Sequence, residues 1–297
     1  GLSTLRMIED CIAKILRRHH GIENPTFADV KDFYDKHVHP DTIDLNDQTV
    51  YENVFHNGQW VGVFQFTEGG VQKLAERTKP TSIVDLSAIT SIYRPGPLSA
   101  GVDKAYIKAV QDPDEVDYLN NTVRDITQET YGFLIFQEQI ARLAHELGDG
   151  ITMDEANLLR KILTKKGTGK GHEVKDEIHK KFIRGCVQKD IDKRSAQELW
   201  QTFEYFSGYG FNKSHAVSYS IISYQCAWLC TYYKAEWVAS FLDKEPESRK
   251  EKAINLAKQH GYKIKPLNIN YSESTWKIEG EDTLIAPLTG IKGFGDA

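Results

Sequence analysis

The stretch GYGFNKSHAVSYSIISYQCAWL, residues 208–229, constrains this chain more than any other. Ala216, Val217, Ile221, Ile222, Tyr224, Trp228 and Leu229 give a helix with little polar surface for water, so the rest of the chain has to bury it. Ahead of it, Gly208 and Gly210 end a helical pattern over residues 195–206, and Asn212 and Ser214 are both good N-cap residues. The helix therefore starts near 212–214, with Lys213 and His215 flanking its N-terminus. Unpaired N–H groups and the positive dipole end favour an anion there, and a lysine beside them makes a phosphate pocket. The same residues also make an ordinary capped turn with a solvated lysine and histidine.

Other helices follow from apolar spacing: residues 2–16, 70–77, 82–94, 103–110, the later part of 131–147 after a short β-rich start, and 173–189. Pro95 and Pro97 stop the third of these and Gly148 the fifth. Thr152 and Glu155 form a capping box ahead of ANLLRKIL. VGVFQF, residues 61–66, reads as a strand or buried extended segment, and STWKIEG and TLIAPLTGI as two short strands. The expected fold is mainly α with a small α+β part at the C-terminal end. Its expected divisions are 1–60, 61–241 and 242–297, the last beginning at the charged run DKEPESRKEK.

A length of 297 residues, 40% of them hydrophobic and 27% charged, suffices for a substantial core. No window approaches a membrane span and the first residues carry no secretory pattern, so the chain is expected in a cytoplasm. It opens straight into a helical pattern without a methionine and is expected to be a fragment of something longer. Cys11, Cys186, Cys226 and Cys230 form no C-x-x-C pair and read as buried free thiols. Asp190 and Asp192 resemble a two-carboxylate metal site but stand where acids routinely precede a helix. KKGTGKG fails as a P-loop, because Thr164 stands where the first glycine should be and Gly171 follows Lys170. No metal site is expected in this chain.

Two further groups of cations stand out. In LLRKILTKKG, residues 158–167, Arg160 and Thr164 share one helix face and Lys161 and Lys165 another. If this helix lies opposite the Lys213 turn, both can meet one polyphosphate. In YRPGP, Arg94 precedes a turn stiffened by two prolines, where it either lines a pocket or braces a buried carbonyl. Residues 160–184 carry nine Lys/Arg against three acids, Glu173, Asp176 and Glu177. This is either a cationic patch or a solvated helix face partly paired with those acids.

GVFQF, YRPGP, YGFLIFQEQ, LLRK, GYGFNKSHA and SYQCAWL, in that order and over nearly the whole chain, resemble the alpha subunits of bacterial DNA polymerase III, the family C replicative polymerases. NKSHA is similar to the Gram-negative branch. The resemblance implies the helical fingers region, which binds incoming deoxynucleoside triphosphate and templating DNA in template-directed synthesis by a nucleotidyltransferase. It implies that Arg160, Lys161, Lys165, Lys213, Ser214 and His215 face the triphosphate, with Arg94, Tyr209 and Phe211 shaping the pocket. It places residues 1–60 as the segment leaving the palm, 61–241 as the fingers core, and 242–297 as the approach to a truncated helix-hairpin-helix.

The catalytic palm aspartates are expected ahead of Gly1, so no catalytic residue is expected here and the chain alone is expected to be inactive. Mg2+ is implied for the complete enzyme only. Implied partners are template–primer DNA, dNTP, the palm portion and, through a missing C-terminal region, a sliding clamp. The chain departs from the family at Lys161, which stands for a second arginine and loses its bidentate fork. The alternative is a non-catalytic DNA-binding or assembly module that keeps the fingers fold.

Overall fold

The computed structural model describes residues 2–164 and 171–291, together with Gly293. Lys165 and the GTGK of the glycine-rich run lie outside the described residues. In chain order the helices are α1 (Ser3–His19), α2 (Phe27–His37), α3 (Gln48–Val50), α4 (Gly69–Thr78), α5 (Ile83–Ile92), α6 (Pro95–Ser99), α7 (Val102–Gln111) and α8 (Asn121–Thr127). Then come α9 (Gln137–Leu147), α10 (Met153–Thr164), α11 (His172–Gln188), α12 (Lys193–Ser207), α13 (Lys213–Tyr232), α14 (Lys234–Lys244) and α15 (Lys250–Gln259). Three short strands, β1 (Lys263–Lys265), β2 (Lys277–Glu279) and β3 (Thr283–Ile285), form one sheet in the order β1-β3-β2. β1 runs parallel to β3 and β2 antiparallel to it, with Ile264 and Ile278 both opposite Leu284. The mainly helical expectation with a small α+β piece holds, although β1 was not foreseen.

The described chain divides into two compact units, Gly1–Thr81 with Ile221–Ala297, and Ser82–Ser220. These bounds differ from the expected divisions at 60 and 241. Periodicity shows that a helix is buried but not by which segments, and α13 begins in one unit and ends in the other.

In the first unit α1 packs along α14, burying Cys11, Ile12, Ile15, Trp237, Val238 and Leu242. Residues 61–66 are buried at Val61, Val63 and Phe66 but form no strand, because the backbone turns left-handed at Gly62 and Gln65 (φ 61° and 67°). The loop is instead fastened by side chains: Trp237 Nε1 donates to the Val61 carbonyl at 2.6 Å and Ser223 Oγ to that of Phe64 at 2.7 Å. Phe55, Trp60 and Phe66 pack ring on ring beneath it. Cys226 and Cys230 are buried and free, and burial pushes both thiols up to about 12.

In the second unit α8 to α12 enclose a core of Leu143, Leu147, Leu159, Phe182, Trp200 and Phe203. The capping box is present, with Thr152 N donating to Glu155 Oε2 at 2.9 Å and Glu155 N to Thr152 Oγ1 at 3.2 Å. Asp192 caps α12 through Ser195 N at 2.9 Å. Pro95 occupies the first turn of α6, so the proline pair opens a short helix as well as ending α5. At Gly185 α11 meets the end of α9 so closely that a Cβ would lie 2.2 Å from the Leu147 carbonyl oxygen and 2.3 Å from Asp149 N. Both are backbone atoms and cannot swing aside. Glycine to alanine in an open helix stabilises by about 1 kcal/mol. Gly185→Ala is therefore expected to reverse that sign and destabilise by about 1–3 kcal/mol, measured by urea denaturation. A gain in stability would refute the close approach.

Candidate functional site

The Lys213 turn is built on a two-residue splice between distant segments of the second unit. Phe211 N donates to the Ile135 carbonyl and Gln137 N to the Phe211 carbonyl, both at 3.0 Å, so residues 135–137 and 211 pair as a minimal parallel bridge. Two helices start from this splice, α9 at Gln137 and α13 at Lys213. Gln137 Nε2 adds a bond to the Gly210 carbonyl at 3.1 Å. The buried Gln139 accepts from the backbone N–H groups of Ile135 and Phe136 at 3.1 Å each, satisfying the strand-like run before α9.

Arg160 reaches the same place from α10. Its Nη1 donates to Gln137 Oε1 at 3.1 Å and lies 4.0 Å from Glu138 Oε1, while its Nε is buried with no hydrogen-bond partner. Glu138 Oε2 in turn accepts from Lys213 N at 2.9 Å. Lys213 Nζ is held by both oxygens of Glu129, at 2.8 and 2.9 Å, and stands 5.7 Å from the centroid of the Phe136 ring. Arg160 and the Lys213 turn thus come together at Glu138, an arrangement that the sequence left conditional, and they do so through a carboxylate that sequence reasoning did not select.

Asn212 is the N-cap, its Oδ1 accepting from His215 N at 3.0 Å. With Glu138 on Lys213 N, two of the α13 terminal donors are spent on internal acceptors. That revises the helix-terminus argument: the free cationic character here lies in side chains more than in backbone N–H groups. Ser214 and His215 are exposed, and the His215 ring contacts Tyr219 at 4.3 Å and Phe211 at 5.5 Å. Lys161 is exposed; as the helical neighbour of Arg160 it does not share that residue's face. Lys165 is outside the described residues.

Arg94 takes the bracing role. Its Nε donates to the Ser91 carbonyl at 2.8 Å and its Nη2 to the Tyr209 carbonyl, with the guanidinium 4.8 Å from the centroid of the Phe211 ring. Gly96 explains the glycine of YRPGP, since a Cβ there would come 2.2 Å from the Tyr209 ring. Three of the α11 cations are paired: Lys175 with Glu204 at 2.5 Å, Lys181 with Glu155 at 2.8 Å and Arg184 with Asp149 at 2.6 Å. Each of these acids comes from outside α11, which the local charge count could not reveal.

Among the described residues no group of three or more His, Cys, Asp or Glu side chains is placed to hold a metal ion, and no helix is long and apolar enough to cross a membrane.

Residues 4–190 match the family of the bacterial DNA polymerase III alpha subunit finger domain. The chain is 33% identical over 299 residues to DNA polymerase III subunit alpha of Aquifex aeolicus (strain VF5), covering 100% of this chain and 24% of that protein. It is 37% identical over 293 residues to the subunit of the same name from Rickettsia conorii (strain ATCC VR-613 / Malish 7), covering 96% of this chain and 22% of the relative. The chain thus spans about a quarter of the length of these curated relatives. On the family match and the end-to-end identity together, this chain belongs to the finger-domain family of bacterial DNA polymerase III alpha subunits.

Proposed function

We propose that the second unit binds the triphosphate of an incoming deoxynucleotide during template-directed DNA synthesis, as the fingers part of a larger replicative polymerase. The observation that carries this reading is the meeting of Arg160 and Lys213 at Glu138, 4.0 Å from Arg160 Nη1 and 2.9 Å from Lys213 N. One carboxylate thus takes the backbone N of Lys213 and neighbours the guanidinium of Arg160, which supports a reading in which the two side chains serve one polyanion. Such preorganised charge stabilises a triphosphate and its leaving pyrophosphate without reorganising during the reaction. Arg94 acts one step back, holding the Tyr209 carbonyl and the Phe211 ring so that the turn before Lys213 keeps its shape. Ser214 and His215, exposed on the first turn of α13, are positioned to donate hydrogen bonds to the same ligand.

The Mg2+ implied for the complete enzyme does not fit the described residues: Glu129 and Glu138 are engaged with Lys213, and no third ligand joins them. In this reading template–primer DNA, the palm portion and the sliding clamp are partners of the assembled enzyme. The paired state of Lys175, Lys181 and Arg184 favours a nucleotide-directed role over a module that only binds DNA.

Titration of the chain with dNTP at rising salt tests the reading. The screening length falls from about 10 Å at 0.1 M to about 3 Å at 1 M, so affinity is expected to drop several-fold, with inorganic tripolyphosphate competing. Binding that is indifferent to salt and to tripolyphosphate would reject phosphate as the recognised group.

A further inference from the structure

Glu129 sits in the turn Gln128–Thr130 between α8 and α9, 84 residues from the lysine it holds. Both its oxygens accept from Lys213 Nζ, yet each side chain of the pair is 32% exposed. A pair in that position is held by two hydrogen bonds and an attraction weakened by water, so its net contribution is small. It is strong enough to occupy the ammonium and weak enough to exchange.

We infer that Glu129 is an internal counter-anion that competes with ligand phosphate for Lys213, so that the lysine changes partners when a polyphosphate arrives and returns when it leaves. The inference rests on the phosphate-binding reading of this site. Glu138 cannot play the same part, because its oxygens are committed to Lys213 N and face Arg160, which fixes the turn more than the ammonium. Glu129 is the acid whose displacement leaves the backbone splice untouched. It lowers affinity for a polyanion in two ways, by holding the ammonium and by leaving a negative charge beside the phosphates once displaced. The benefit is release: a site made only of cations would retain pyrophosphate.

The inference fixes a sign. If Glu129 serves to position Lys213, removing its charge weakens phosphate binding; if it competes, removing the charge tightens it. Glu129→Gln keeps the side-chain shape and is expected to raise affinity for inorganic tripolyphosphate by up to about fivefold, read by calorimetry on the whole chain. In a Lys213→Ala background the same change is expected to lose most of its effect. Glu129→Ala, checked for intact helix content by circular dichroism, is expected to behave like Glu129→Gln.

Unchanged or weaker binding in both Glu129 variants would overturn the inference while leaving the phosphate site standing, provided Lys213→Ala alone reduces binding. A full-sized gain that persists without Lys213 would also overturn it, since the carboxylate would then act only as background charge. No tripolyphosphate binding in any variant would instead remove the site itself and the inference with it.

Discussion

On the proposed reading, replacing Lys213 by alanine in a polymerase assembled with this chain is expected to lower nucleotide incorporation by about 10²- to 10³-fold, the usual cost of removing one preorganised charge stabiliser. The affinity for primer–template DNA should change little, because the substitution leaves the Phe136–Phe211 splice intact and removes only an ammonium already 32% exposed. The backbone bond from residue 213 to Glu138 does not need the side chain and survives in the variant. Single-turnover incorporation and fluorescence anisotropy with labelled duplex separate the two effects. Equal and mild losses in both would reject the assignment of Lys213 to the triphosphate.

The second large effect belongs to the first unit and to stability. Lys14 on α1 is buried, its side chain 6% exposed, with Nζ 2.5 Å from Asp10 Oδ2 and 2.7 Å from Asp243 Oδ2. Asp243 is itself only 9% exposed and takes a further bond from Trp276 N at 3.0 Å. Burial pulls the lysine pKa down, but the carboxylates of Asp243 and Asp10 outweigh it and leave the pKa above its ordinary value. Lys14→Met would leave the buried Asp243 without its cation and Asp10 with Lys244 Nζ at 3.9 Å, and is expected to cost about 3–5 kcal/mol by urea denaturation at neutral pH.

The pH dependence carries its own sign. In the wild type the raised lysine pKa contributes stability that is fully present below the unfolded lysine value, about 10.4, and is lost as pH rises through the higher folded value. Burial already raises the Asp243 pKa, and without Lys14 its carboxylate favours the protonated form further, so the deficit should shrink as pH falls towards 5. A deficit below about 1 kcal/mol, or one independent of pH, would show that the acids find other partners.

What the sequence made legible follows the physics that is local to it. The capping box at Thr152 is where its spacing put it, Asn212 is the cap of the two candidates the sequence offered, and Asp192, read only as an acid ahead of a helix, caps α12. The burial of α13 was legible because apolar residues all round a helix leave no alternative. The meeting of Arg160 with the Lys213 turn rested on the family resemblance, with charge placement only permitting it. Glu129 and Glu138 were invisible for the opposite reason: acids near a helix start are routine, and nothing within YGFLIFQEQ says that its glutamate will be met by a lysine from α13. The Val61–Phe66 run misled because alternation of apolar residues cannot report the left-handed turns at Gly62 and Gln65. Arg94 was left between lining and bracing, and only the carbonyls of Ser91 and Tyr209 decide for bracing.

The splice at residues 135–137 and 211 has a consequence for how this region comes into being. Gln137 and Gly210 are 73 positions apart, and the chain between them forms α9 to α12 before it returns. Closing so long a loop is entropically costly and is repaid only once the intervening helices have collapsed together. The peptide GYGFNKSHA cut from the chain would keep its letters and lose its geometry, because the turn before Lys213 needs the whole unit to hold it.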